Sequence, residues 1–296
     1  ERMNCLAQAE EVLAQARGRV ERHSFLEAAE ARIAYRLEQI ERARACVERT
    51  RWADLDEIAR IPFLFLCGDI HARQGEVDQA MTAYTRANAQ HAASRYARAY
   101  SKDSALTELA RLQRCTSPEF MRSVVSNRDV EAGEGLVFFV GFPRSGTTLL
   151  ETVLDAHPDV QVVEEKPAVD ALLAAIQATQ QGYPEALPKL DAKGRAKLRE
   201  IYATERDRWT ETGAGTVIVD KNPNNTAHLG MLYQVFPRAK FIVAVRHPAD
   251  AVLSCFMQHF RPNRLMNNFY TLTDATFYYD QVMTLYKRYK AELPFD

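Results

Sequence analysis

The stretch LVFFVGFPRSGTTLLETVLDAHP, residues 136–158, limits the folds open to this chain more than any other. LVFFV is an unbroken apolar run of strand length, as expected of a parallel strand covered on both faces. It leads into a loop with glycines at 141 and 146. Beyond the loop, Leu149, Leu150, Val153 and Leu154 recur at helical spacing as one apolar face, and Pro158 follows the end of the segment. Two further β-branched runs, TVIVD at 216–220 and FIVAV at 241–245, and a weaker one, DVQVV at 159–163, are each followed by helix-like sequence. Strands alternating with helices predict an α/β fold, a P-loop-like and mainly parallel sheet flanked by helices.

Gly141 and Gly146 satisfy the spacing G-x-x-x-x-G, but Thr147 occupies the position where a phosphate-binding lysine belongs. Glycines let such a loop curl so that several N–H groups face one anion, and the helix starting near Thr147 adds its positive dipole end and the hydroxyls of Thr147 and Thr148. A kinase or ATPase would use the absent lysine on the β- and γ-phosphates and a hydroxyl on Mg²⁺. Here Arg144 stands inside the loop, and Asp220 is followed by Lys221, which disfavours a cation nearby. The loop therefore predicts an anionic ligand that requires no metal. Parallel sheets bind ligands at the carboxyl ends of their strands, and Glu164 and Glu165, Lys221 and Arg246 follow three further strands. Side chains alternate along an extended segment, so only one of Glu164 and Glu165 is expected to face the crevice.

Residues 1–116 read as a separate α-helical domain. Up to residue 115 they contain a single proline, Pro62, and three glycines, Gly18, Gly68 and Gly75. FLFLCGDIHARQGEVDQAMTAYTRANAQ, residues 63–90, resembles one tetratricopeptide (TPR) unit, with Gly68, Gly75, Ala80, Tyr84 and Ala87 at the repeat's offsets. Such helices present a surface for a protein partner or for self-association. His71 and His91 read as packing or surface residues.

Lys and Arg number 38 against 39 Asp and Glu, a net charge of -1, so no nucleic-acid partner is implied and any anion must be held locally. The five cysteines stand singly without zinc-like spacing, which predicts neither a metal site nor a disulfide framework and fits a reducing compartment, by default the cytoplasm. No apolar run approaches the roughly 20 residues of a membrane span. No signal peptide is visible in a chain that opens on Glu1.

VGFPRSGTTLLETVLDAHPDV resembles the 5′-phosphosulfate loop of sulfotransferases that use 3′-phosphoadenosine-5′-phosphosulfate (PAPS), especially tyrosylprotein sulfotransferases and the TPR-containing bacterial group. RHPADAVLSC is similar to their 3′-phosphate site, and DKNPNN to the segment that carries their catalytic lysine. The resemblance runs from about Leu136 onward. It implies that Pro143, Arg144, Ser145, Gly146, Thr147 and Thr148 hold the phosphosulfate, that Arg246 and Ser254 hold the 3′-phosphate, and that Lys221 with Arg144 stabilises the leaving group. It also implies that Glu165, second in its motif, is the general base, ahead of His157 and His247. PAPS would be the sulfuryl donor, PAP the product and no metal would be required. The acceptor hydroxyl would belong to a protein tyrosine, a glycan or a small molecule. The domain line is drawn at 117–296, and the family pattern continues past Asp296 with another strand and a basic segment. Rival readings are a P-loop-type kinase or NTPase, and a TPR scaffold with a non-catalytic nucleotide fold.

Overall fold

The computed structural model describes residues 5–19, 23–126, 132–210 and 217–294. Thr216 of the third expected strand, residues 127–131 of the polar stretch before the first, and both chain ends, Glu1 and Asp296, lie outside them. The chain divides into two compact units, one of Glu1–Lys102 with Phe256–Asp274, the other of Asp103–Cys255 with Ala275–Asp296.

In the second unit, β1 (Leu136–Gly141), β2 (Val160–Glu164), β3 (Val217–Lys221) and β4 (Lys240–Ala244) form one sheet. All pairings are parallel, in the order β2-β3-β1-β4. β1 is buried at every position, as its unbroken apolar run requires. One face of the sheet packs Val137, Phe139 and Val219 against Leu154 and Ile242. On the other, Phe138 lies among Tyr202, Phe236 and Phe241. From β1 the chain goes to one side for β2 and β3, then crosses to the other side for β4. The loop after β1 therefore stands at the switch point, where open parallel sheets bind ligands. The register sets Phe139, Lys221 and Glu164 in one row across three strands. Gly141 pairs with Ala244, and a Cβ on Gly141 would lie 2.8 Å from the Ala244 carbonyl oxygen, so this approach admits only glycine.

The loop runs into the helix Thr147–Asp155, whose apolar face is not where apolar faces usually lie. Leu149 is 74% exposed and Val153 62%. The buried positions include Thr147, and Glu151 is 15% exposed, because the inner side of this helix borders the polar strand ends.

The helical unit contains the pair Glu57–Arg73 and Val77–Ala93, joined at Gly75, whose φ of 75° is the left-handed value that favours glycine. The Tyr84 ring lies directly against Gly68, and its hydroxyl donates to Asp69 Oδ1 at 2.7 Å. Residues 256–274 return to this unit: the Asn88 side-chain amide donates to the Phe256 carbonyl, and His91 is buried against Phe65, His259 and Tyr270. His71 is partnered with Glu76 at 2.6 Å. Buried Glu27, Glu30 and Cys46 gather closely, and Arg17, Arg42 and Arg49 ion-pair with the two glutamates, which gives the cluster a structural role. Among the described residues, no helix is long and apolar enough to cross a membrane.

Gly68 gives the first test of this packing. A Cβ there would sit 2.5 Å from Tyr84 Cε1, on a ring that is buried and hydrogen-bonded in place. Alanine adds about 1 kcal/mol of helix propensity, but overpacking costs about 1–3 kcal/mol. Gly68→Ala is expected to lower the urea unfolding midpoint; a midpoint at or above that of the unaltered protein would disprove the close approach.

Candidate active site

The loop after β1 is shaped by backbone conformations that most residues avoid. Arg144 has φ of 67° and Gly146 φ of 86°. The Ser145 amide donates to the Phe142 carbonyl at 3.1 Å, which closes a tight turn. Gly146 caps the helix Thr147–Asp155 without a side-chain acceptor, so the first N–H groups of that helix remain open to a ligand. An anion fits such a cradle, with the loop amides and the helix dipole directed at it. The Phe142 ring anchors the base of the loop against Tyr278 and Tyr279. Thr226, just after DKNPNN, donates its hydroxyl to the Gly141 carbonyl, and the Asn222 amide donates to the Phe139 carbonyl.

Lys221, at the end of β3, is 1% exposed, yet its ammonium meets three carboxylates. Glu164 Oε1 lies at 2.8 Å, Glu151 Oε2 at 2.9 Å and Glu165 Oε1 at 3.4 Å. Burial alone would lower the Lys221 pKa. The hydrogen bonds to Glu164 and Glu151 and the charges of Glu165 and Glu151 outweigh that effect, and the net displacement is upward. The lysine is held as a cation.

The expectation that only one of Glu164 and Glu165 faces the crevice fails. β2 ends at Glu164, and Glu165 turns to φ of 49° while its amide still donates to the Lys221 carbonyl at 2.8 Å. The twofold alternation stops there, and both side chains reach one ammonium. Among the described residues, only Glu38, Arg144 and Glu165 combine a side chain with positive φ. Such a conformation costs about 1–2 kcal/mol, and two of the three cases lie at this site, where strain of this kind tends to serve function.

A second cluster joins the loop to the helix Pro248–Phe256. Arg246 donates to the Arg144 carbonyl at 2.9 Å, Arg144 Nε donates to Ser254 Oγ at 3.1 Å, and the Cys255 thiol donates to the Pro143 carbonyl. Arg246, Arg144 and Ser254 thus form one connected group, with the Arg144 side chain directed to Ser254. His157 accepts from the Asp159 amide through Nδ1, closing the turn after the loop helix.

Glu151 and Thr226 escaped the sequence reading. Glu151 follows Thr147 by four residues, the step that shares a helix face, but among apolar neighbours it reads as a solvent-facing position. Thr226 lies beyond any strand signal.

Comparison with known proteins agrees with this geometry. Residues 137–295 match the profile of the Sulfotransferase family. Protein-tyrosine sulfotransferase 1 of Danio rerio is 34% identical over 128 residues, 40% of this chain and 34% of that protein. The human protein-tyrosine sulfotransferase 1 is 32% identical over 128 residues, 40% of this chain and 33% of its own length. Nodulation protein NoeE of Sinorhizobium fredii is 29% identical over 134 residues, 41% of this chain and 31% of that protein. The matched region spans only about a third of the length of each of these relatives.

Asp220 faces away from Lys221, as its neighbour in a strand must, and accepts from the Tyr202 hydroxyl at 2.7 Å. Its other oxygen is buried without a hydrogen bond among the described residues. Burial pushes this carboxyl up to about 7, opposed by the Tyr202 hydrogen bond and aided by Asp170. The folded state therefore keeps a proton that the unfolded chain releases from about pH 4 upward, and stability falls as pH rises through that window toward 7. Asp220→Asn is expected to gain stability relative to the unaltered protein between about pH 4 and 7, with the difference level above. Urea midpoints measured across this range check it; a difference independent of pH would show the carboxyl ionised throughout.

Proposed function

The chain belongs to the sulfotransferase family, and from that premise we propose that residues 117–296 transfer a sulfuryl group from PAPS to an acceptor hydroxyl, with peptide tyrosine the first class of acceptor to test. The main support is the charge arrangement: a buried lysine beside three carboxylates, one of them on the helix that follows the loop, and the Arg246–Arg144–Ser254 group joined to the loop itself. The residues fit a donor with two anionic ends. The loop amides, Thr147 and Thr148 would hold the phosphosulfate, and Arg246 with Ser254 the 3′-phosphate.

In the proposed reaction the acceptor oxygen bonds to sulfur as the sulfur–oxygen bond to the 5′-phosphate breaks, in line. The bonding electron pair stays on the phosphate oxygen. Lys221, the loop N–H groups and Arg144 take up that charge, and preorganised donors are most effective where charge develops in the transition state. The acceptor's proton passes to Glu165, whose carboxylate is 57% exposed and so open to an incoming substrate. Before the donor arrives Lys221 is held by glutamates, so it must exchange a carboxylate for the leaving phosphate. We assign residues 1–116 to recruitment of the acceptor or to self-association, a role supported by the helix pair around Gly68 and Tyr84.

Two substitutions separate binding from chemistry. Arg246→Ala is expected to weaken PAP binding about tenfold to a hundredfold, the loss of a charge-assisted hydrogen bond. Glu165→Gln should keep PAP affinity and lose about a hundredfold or more in transfer, because general base catalysis is typically worth that much. Calorimetry with PAP and ATP, together with transfer of labelled sulfate from PAPS to peptides, glycans and small alcohols, checks both. Unchanged PAP affinity in Arg246→Ala, or tight ATP binding in its place, would overturn the donor assignment; full activity in Glu165→Gln would overturn the base.

A further inference from the structure

We propose that Glu151 is a positioning residue for the reaction: it is the buried counter-ion that fixes the Lys221 ammonium against the loop helix while the exposed Glu165 engages substrate. This inference rests on the proposed sulfuryl transfer. The three carboxylates around Lys221 are not equivalent. Glu164 and Glu165 are 54% and 57% exposed, whereas Glu151 is 15% exposed. Exposed partners are screened by water and reorient readily, so their ion pairs hold weakly. Glu151 Oε2 is buried, and apart from the ammonium 2.9 Å away it has no hydrogen-bond partner among the described residues. Glu151 cannot lose the ammonium without leaving its own charge stranded out of water, whereas Lys221 keeps Glu164 and Glu165 in reach.

Position makes the pairing useful. Glu151 stands one turn beyond Thr147, on the helix whose open N-terminus forms the anion cradle. A lysine tethered to it stays beside the cradle whatever the strand-end glutamates do. The titratable groups facing the ammonium are Glu151 from the loop helix, Glu164 at the end of β2 and Glu165 just after it; β1, on the other side of β3, presents Phe139 in this row. When a phosphosulfate occupies the cradle and Glu165 engages the acceptor, Glu151 is the carboxylate left to hold Lys221 charged and aimed.

The test compares Glu151→Gln with Glu164→Gln in the full chain. The probe is the Lys221 side-chain signal in protein carrying ¹³C-labelled lysine, assigned by its disappearance in Lys221→Met. Glu151→Gln is expected to move the lysine's titration to lower pH, and by more than Glu164→Gln does. Transfer from PAPS should fall about tenfold to a hundredfold in kcat, the cost of a misplaced charge, while PAP affinity at neutral pH is retained or improved because one negative charge has gone. An unmoved lysine titration, or a larger effect of Glu164→Gln, would overturn the proposal. So would parallel losses of melting temperature, PAP affinity and rate, which mark a packing role. Should Glu151→Gln not fold, Glu151→Asp, with its shorter reach, is read in the same way. If the unaltered protein neither binds PAP nor transfers sulfate, the reaction assignment fails instead, and the lysine titration still decides whether Glu151 holds Lys221.

Discussion

A charge buried among three opposing charges sets the terms for the rest of this site. Moving an ammonium out of water costs several kcal/mol unless paired and hydrogen-bonded groups replace the lost hydration. Lys221 meets this condition through its register: β3 ends level with β2, so Glu164 is its cross-strand partner, and the loop helix adds Glu151 from the side. Three carboxylates to one ammonium leave the cluster negative. The proposed anionic donor would therefore have to be drawn in by other groups, and the loop amides, the helix dipole, Arg144 and Arg246 are the groups placed to do it.

The same economy explains the strained backbone. Arg144 and Glu165 hold positive φ where the chain must leave a strand and turn side chains toward one crevice. At Glu165, the hydrogen bond that the amide N–H donates to the Lys221 carbonyl keeps the ladder running for one more residue while the carboxylate swings to the ammonium side. At Arg144, the Arg246 guanidinium holds the carbonyl and Ser254 holds the side chain. The loop is thus fixed by the residues proposed to bind the far end of the donor.

Much of this was legible in the sequence, for physical reasons. LVFFV announces a strand because a parallel strand covered on both faces has no room for polar residues, and β1 and β4 coincide with LVFFV and FIVAV to within one residue at their ends. Gly146 and Thr147 mark the loop because an open helix start needs them. Period-two reasoning failed at Glu164 and Glu165, where the strand ends and the alternation with it. Helical patterning failed on the loop helix, whose apolar Leu149 and Val153 lie outward because its inner side serves the site. The return of residues 256–274 to the helical unit depends on contacts distant in sequence, such as Asn88 with Phe256, which no local pattern carries.

The central claim is that Lys221 is a charge placed for the leaving phosphate, and Lys221→Met tests it most directly because it keeps the buried stem and removes only the ammonium. Transfer rate from PAPS and affinity for PAP are measured on the same folded preparation. The rate is expected to fall about a hundredfold to a thousandfold, the usual loss of a preorganised charge-stabilising group, and by clearly more than the affinity, since the leaving group's charge bears on the transition state above all. Equal losses in rate and affinity would contradict the account and make Lys221 a binding residue alone.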